Sequence, residues 1–177
     1  MANSTSGYKL WSLDSLGVIS ETGVWIRKLY FVPNAADDVA VVKVFTTTKV
    51  AAGGKVIKTG TITSTTTLTS NGNLPSTILD GYVFEITKTS GTADNLGKKL
   101  VKTAGSGNAV VIHDADWTNE ASKVYNWVTY TTQDAIVMKA GAADAEMEEL
   151  DFHDRPLFLP NFCLDQLTGG TLYVYLA

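Results

Sequence analysis

Apolar residues along this chain recur in short runs with a period of two, and no stretch has the length and period of a substantial helix. The run GVWIRKLYFVP, Gly23 to Pro33, sets the pattern. As a regular strand it places Trp25, Leu29 and Phe31 on one face and Val24, Ile26, Tyr30 and Val32 on the other. Both faces are largely apolar, which predicts a central strand covered on both sides. The last residues, GGTLYVYLA, read as a strand too, with Leu172, Val174 and Leu176 alternating with Tyr173 and Tyr175. Core strands near the start and at the end predict one domain closed by its own C-terminal segment.

Between them the texture changes twice. After the turn residues PNAADD, the run VAVVKVF, Val39 to Phe45, reads as a second buried strand. From Thr46 to Asn73 threonine, serine, glycine and lysine dominate. β-Branched threonine favours extended chain, so this stretch predicts exposed strands or a strand-like linker without a packed core. The apolar pattern returns with GYVFEIT, in which Tyr82, Phe84 and Ile86 share a face opposite Val83, Glu85 and Thr87. KKLVKT, AVVIH and DADWTNEASKVYNWVTY follow, separated by Gly-, Asn- and Asp-rich turns, as in a small antiparallel module.

After Asp134 the chain resumes its first style with AIVMKAG. AADAEMEEL then reads as a short helix with Ala143, Met147 and Leu150 near one face, or equally as an acidic loop. Two prolines in RPLFLPNFCLDQL prevent a long regular element. The expected fold is therefore all-β: residues 1–46 and 134–177 form a small β-sandwich, and residues 47–133 form an inserted antiparallel β module with a Thr/Ser-rich lead-in. Residues 1–22 carry Tyr8, Leu10, Trp11, Leu13 and Leu16, which suits a docking arm or an irregular first strand.

Bulk properties narrow the function. Of 177 residues 18% are charged, and the net charge of −4 argues against a nucleic-acid-binding surface. The single cysteine, Cys163, excludes an internal disulfide framework, and its apolar neighbours predict a buried, inert thiol. No apolar run approaches the roughly 20 residues of a membrane helix, and no basic-then-apolar leader is visible at the N-terminus. A soluble chain made in the cytosol is expected, without membrane or nucleic-acid partners.

The candidate chemical motifs are weak. GTADNLGKK, Gly91 to Lys99, approaches a phosphate-binding loop, but has one residue too many between its glycines and Lys99 where a hydroxyl is needed. His113 with Asp114 and Asp116, and His153 with Asp151 and Asp154, lack metal-ligand spacing and read as turns and strand ends. GSG at Gly105 to Gly107 is no nucleophile elbow. Asp144, Glu146, Glu148, Glu149 and Asp151 lack the spacing of a calcium loop. No catalytic, metal or cofactor site is expected.

The aromatic residues carry more information. Trp25 and Trp127 lie inside strands and are expected in the core. Tyr173 and Tyr175 oppose the apolar face of the last strand, so they are either covered by the inserted module or left exposed. That strand has no lysine or proline to protect an edge, which predicts cover by the module or by a neighbouring subunit. Leu10, Trp11, Leu13, Leu16, Tyr173 and Tyr175 are the candidate interface residues. Exposed aromatics would equally suit a glycan-binding module.

TGVWIRKLYFVPNAADDVAVVKVF together with RPLFLPNFCLDQLTGGTLYVYLA resembles small β-sandwich structural proteins of tailed phages, with a first strand ending in FVP and a last one reading LYVYL. ILDGYVFEITKTSGTADNLGKKLVKTAGSGNAVVIHDADWTNEASKVYNWVTY is similar to a β-module of phage structural proteins, although the loop SGTADNLGKK is longer and more basic than that pattern. The resemblance implies a capsid decoration (cement) protein on the exterior of a virion. Its partners would be the major capsid protein and further copies of itself, with a trimer as the first expectation. A tail, neck or fibre-attachment component, and a host-surface glycan-binding module, are the alternatives.

Overall fold

A computed structural model describes residues 9–49, 56–72, 78–104, 108–113 and 115–177. The first eight residues, the GSG turn and Asp114 lie outside the described residues. In chain order the strands are β1 (Leu10–Leu13), β2 (Gly17–Ser20), β3 (Val24–Val32), β4 (Val39–Lys49), β5 (Val56–Ser64), β6 (Thr67–Ser70) and β7 (Val83–Thr89). A 3-10 turn at Ala93–Asn95 precedes β8 (Gly97–Ala104) and β9 (Ala109–Ile112). Then come β10 (Glu120–Lys139), β11 (Glu148–Asp151), β12 (Leu157–Leu159), β13 (Phe162–Leu167) and β14 (Thr171–Leu176). The chain is all-β, and no helix among the described residues is long and apolar enough to cross a membrane.

Two sheets share the strands. The first runs β1-β14-β3, with β11 and β12 pairing successive stretches of β3. In the second, β2-β13-β4 leads to β10, and β10-β5-β6-β9-β8-β7 returns to β10. That return closes six antiparallel strands into a barrel, so each barrel strand is paired on both sides. The first sheet packs on β2, β13, β4 and the C-terminal part of β10. Ile26, Leu29, Phe31, Leu172 and Val174 meet Val42, Met138, Phe162 and Leu164 in that sandwich core.

Strand β10 belongs to both bodies. Its 20 residues extend over roughly 60 Å at about 3.3 Å per residue. Glu120–Trp127 pairs with β5 and Tyr125–Tyr130 with β7, while Tyr130–Lys139 pairs with β4. The strand therefore passes through residues 133–134 without interruption, at the place where the sequence suggested a module boundary. Phe45, Val83, Leu100 and Cys163 fill the joint, with Tyr130 against them. Polar ties reinforce it: Lys98 of β8 reaches Glu21 beyond β2 at 2.7 Å, and the Thr132 hydroxyl donates to the Gly81 carbonyl at 2.8 Å.

Several expectations are corrected. The Thr-rich stretch supplies barrel walls: Ile62 and Leu68 of β5 and β6 are buried with Phe84, Trp117 and Trp127 in the barrel core. Isolated apolar residues sufficed because each strand of a closed barrel needs only its inward positions filled. Of the two readings of AADAEMEEL the loop holds up to Met147, a stretch that is exposed and without helix, and the following Glu148–Asp151 is strand, since pairing with β3 outweighs a weak helical pattern. Residues 10–20 form β1 and β2, one on each sheet. Trp127 is buried, but Trp25 is 55% exposed.

A β-bulge explains Trp25. Tyr175 pairs with Lys28 and Leu176 with Ile26, so β3 holds one residue more than β14 at this point. The extra residue resets the side-chain alternation. Ile26 joins Leu29 and Phe31 in the core, although a regular strand would put Ile26 and Leu29 on opposite faces. Trp25 is thereby turned out. On the other side of β3 the same bulge falls between β11 and β12, where the Arg27 carbonyl accepts from the Phe152 amide at 2.9 Å.

Candidate interaction surface

The outer face of the first sheet follows from this register. Leu10 of β1 lies opposite Tyr175, and Ser12 opposite Tyr173. Tyr173 lies opposite Tyr30 of β3, whose other neighbour is Glu149; Tyr175 lies opposite Lys28, whose other neighbour is Asp151. Beyond the bulge Trp25 lies opposite Phe158 of β12. Because paired residues point to the same side, Leu10, Tyr173, Tyr175, Tyr30, Trp25 and Phe158 share one face. Their inward neighbours Leu172, Val174, Ile26 and Leu29 are in the sandwich core.

The rings on this face touch one another. Trp25 and Phe158 lie 4.9 Å apart at 46°, and Tyr30 and Tyr173 lie 6.5 Å apart at 44°. The Phe158 ring also covers Gly23, where a Cβ would collide with it. The Lys28 ammonium sits 5.7 Å from the Tyr30 ring and 6.0 Å from that of Tyr175, and pairs with Glu149 at 2.7 Å. The hydrogen bond to Glu149 holds the Lys28 pKa above its ordinary value. At the rim the Tyr30 hydroxyl donates to Met147 Sδ at 2.6 Å, and Met147 is 59% exposed.

Three of the six candidate interface residues are on this face: Leu10, Tyr173 and Tyr175. Trp11, Leu13 and Leu16 turn inward. They pack on the sandwich core, Trp11 stacking with Phe162 at 6.1 Å; Trp11 and Leu13 do so because residues opposite Val174 and Leu172 must share those residues' side of the sheet. Nor is β14 an open edge, since β1 and β3 flank it. The protecting strand comes from the chain itself. Tyr30, Trp25, Phe158 and Met147 were missing from the sequence-based set. Tyr30 was visible there as the residue on the opposite face from Leu29 and Phe31; the bulge that exposes Trp25 left no such sign.

The other candidates resolve into structure. Thr92 caps the 3-10 turn of the Gly91–Lys99 loop, and its amide donates to Glu120 at 2.8 Å. Glu120 also accepts from Asn95 Nδ2 and the Tyr125 hydroxyl, both at 2.8 Å. Burial works against the Glu120 charge, but these three donors outweigh it and hold the carboxyl below its ordinary range. The backbone amide that a phosphate loop would offer to a ligand thus binds the protein's own carboxylate. Asp116 pairs with Lys99 at 2.5 Å. His153 stands in a turn at φ 46°, its amide bonded to Asp151 at 2.7 Å, and its ring is exposed. Burial, then the charge of Lys102, lowers the His113 pKa.

Cys163 is fully buried, and burial pushes its thiol up to about 12, far from a reactive thiolate. Among the described residues no group of three or more His, Cys, Asp or Glu side chains is placed to hold a metal. A shallow groove of about 250 Å³ on the barrel is lined by Lys88, Thr89, Ser90, Val124 and Asn126. Its two hydroxyls accept from backbone amides, Thr89 from that of Gly91 and Ser90 from that of Val124, both at 2.9 Å, and no imidazole or carboxylate among those lining residues is there to activate them.

No family model matches the chain, and no curated protein or solved structure matches it either.

Proposed function

We propose that this chain is a structural protein of a tailed-phage particle, a capsid decoration protein that attaches to the outside of the shell and bridges neighbouring capsomers. The observation that carries the reading is the aromatic outer face of the first sheet, where exposed Leu10, Trp25, Phe158 and Met147 lie with Tyr30, Tyr173 and Tyr175; the barrel segment exposes Leu79, Leu96 and Val124 but buries its tryptophans. Exposed apolar surface concentrated on one face marks a contact site, and aromatic residues are enriched in such contacts. The resemblance of both chain ends and of the barrel segment to phage structural modules points the same way. In this reading the protein acts by burying complementary surface: about 1,600 Å² is typical of one stable contact, and repetition around a symmetric shell multiplies its effect. The major capsid protein is the proposed partner, with a homo-oligomer, first a trimer, as the attached form.

The test is the protein's abundance in purified particles. A decoration protein approaches the major capsid protein in copies. A copy number one or two orders of magnitude lower would assign it to the tail or neck, and absence from particles would overturn the reading.

A further inference from the structure

We infer, resting on the particle-bound reading above, that the outer face of the first sheet is the docking surface and that its occupant is a capsid-protein segment presenting basic side chains beside an apolar anchor. The face has an apolar centre and, on the side of β11, an acidic rim. Leu10, Tyr173, Tyr175 and Tyr30 run across β1, β14 and β3, and Trp25 with Phe158 extends the patch to β12. Four strands span roughly 14 Å at about 4.8 Å per interval. That breadth suits a protein surface, whereas a sugar ring would engage one or two of these rings.

The rim next to Tyr30 is acidic. Asp144 and Glu146 are exposed in the segment that leads to Met147, and Glu149 and Asp151 stand on β11. The bases nearby are Arg27, Lys28, Lys139 and Arg155; Lys28 is engaged by Glu149 and Lys139 by Asp37, and Asp151 lies against His153. Asp144 and Glu146 thus extend the negative charge beyond the local bases. Apolar docking with complementary charge at its rim directs both partner choice and orientation. A second copy would bring the same acidic segment and is disfavoured. A basic segment is not.

The experiment titrates particles lacking the protein with the purified full chain. Wild type is expected to saturate a defined number of sites. Tyr30→Ser with Tyr173→Ser should weaken binding by about tenfold or more, the usual scale for losing central aromatic contacts. Asp144→Lys with Glu146→Lys, in an exposed segment without regular structure, should weaken it several-fold at low salt, with the deficit shrinking as salt screens the rim. Val124→Ser on the barrel should bind as wild type. Failure of the wild-type chain to bind overturns the particle-bound reading and this inference with it. Wild-type binding that all variants share overturns the inference alone. Concentration-dependent dimerisation of the free chain, abolished by the tyrosine changes, would assign the face to a second copy. Displacement by soluble glycans would assign it to a sugar. Either result overturns the inference.

Discussion

The barrel and the sandwich solve the same problem differently. Both must bury one side of a β-sheet, yet the barrel closes on itself while the sandwich leaves the far side of its first sheet open. In the barrel, Trp117, Trp127, Phe84 and Tyr125 point inward, and the wall strands β5 and β6 are built largely from threonine, serine, lysine and glycine. In the first sheet Leu, Ile, Val, Phe31 and Trp11 face the core, while half-buried Tyr30, Tyr173 and Tyr175 and exposed Trp25 lie on the outer side. Closure removes edges and spends the aromatic residues on packing; an open sheet can spend them on its surface. The contrast places the exposed aromatic rings on the sandwich, and β10 joins the two bodies.

The largest effect should come from the barrel core. Trp127→Ala, at 1% exposure, should lower unfolding stability by about 3–5 kcal/mol, as for other large aromatic truncations, read as a shift in urea midpoint. A loss below 1 kcal/mol would mean that the barrel core is not where the stability lies.

Next is Gly170→Ala, in the tight turn between β13 and β14. Its φ of +81° and the approach of the Val32 carbonyl to the position of a Cβ leave no strain-free side chain. A cost of about 1–3 kcal/mol is expected, with the strain confined to the sandwich. Proton-exchange protection lost in β3 and β14 but kept in β8 and β9 would demonstrate that confinement; equal loss throughout would show that the two bodies unfold only together.

Acid should act on the barrel through Glu120. Its folded pKa lies below the ordinary carboxylate value, so its stabilisation is complete above the unfolded pKa of about 4.3. It disappears as pH falls through the lower folded value. Glu120→Gln should therefore be less stable than wild type at pH 6, by about 1 kcal/mol, and the gap should narrow towards pH 3. A gap unchanged by pH would remove the carboxylate charge from the explanation.

The smallest effect belongs to the open face. Trp25→Ala gives up its contact with Phe158 but almost no core packing, so stability should fall by about 1 kcal/mol or less. A loss matching that of Trp127→Ala would show that the face is intramolecular structure and would erase the contrast between the two bodies.

The sequence by itself determined the all-β class and most strand positions, because period-two alternation and Gly/Asn/Asp turns are local properties of the chain. It also determined the inward side of β14, where Leu172 and Val174 alternate with Tyr173 and Tyr175, and the burial of Cys163 among apolar neighbours. Tertiary structure decided the rest. Whether the Thr-rich strands β5 and β6 were linker or wall depended on β6 pairing with β9 and on β7 returning to β10, contacts between residues far apart in the chain. Which side of β3 carried Trp25 depended on one extra residue opposite β14, and a single-residue shift inverts every later position in a strand. The inward turn of Trp11 followed from its register with Val174, more than 160 residues away. Local patterns specify which residues alternate; only the pairing partner specifies which of the two sides meets water.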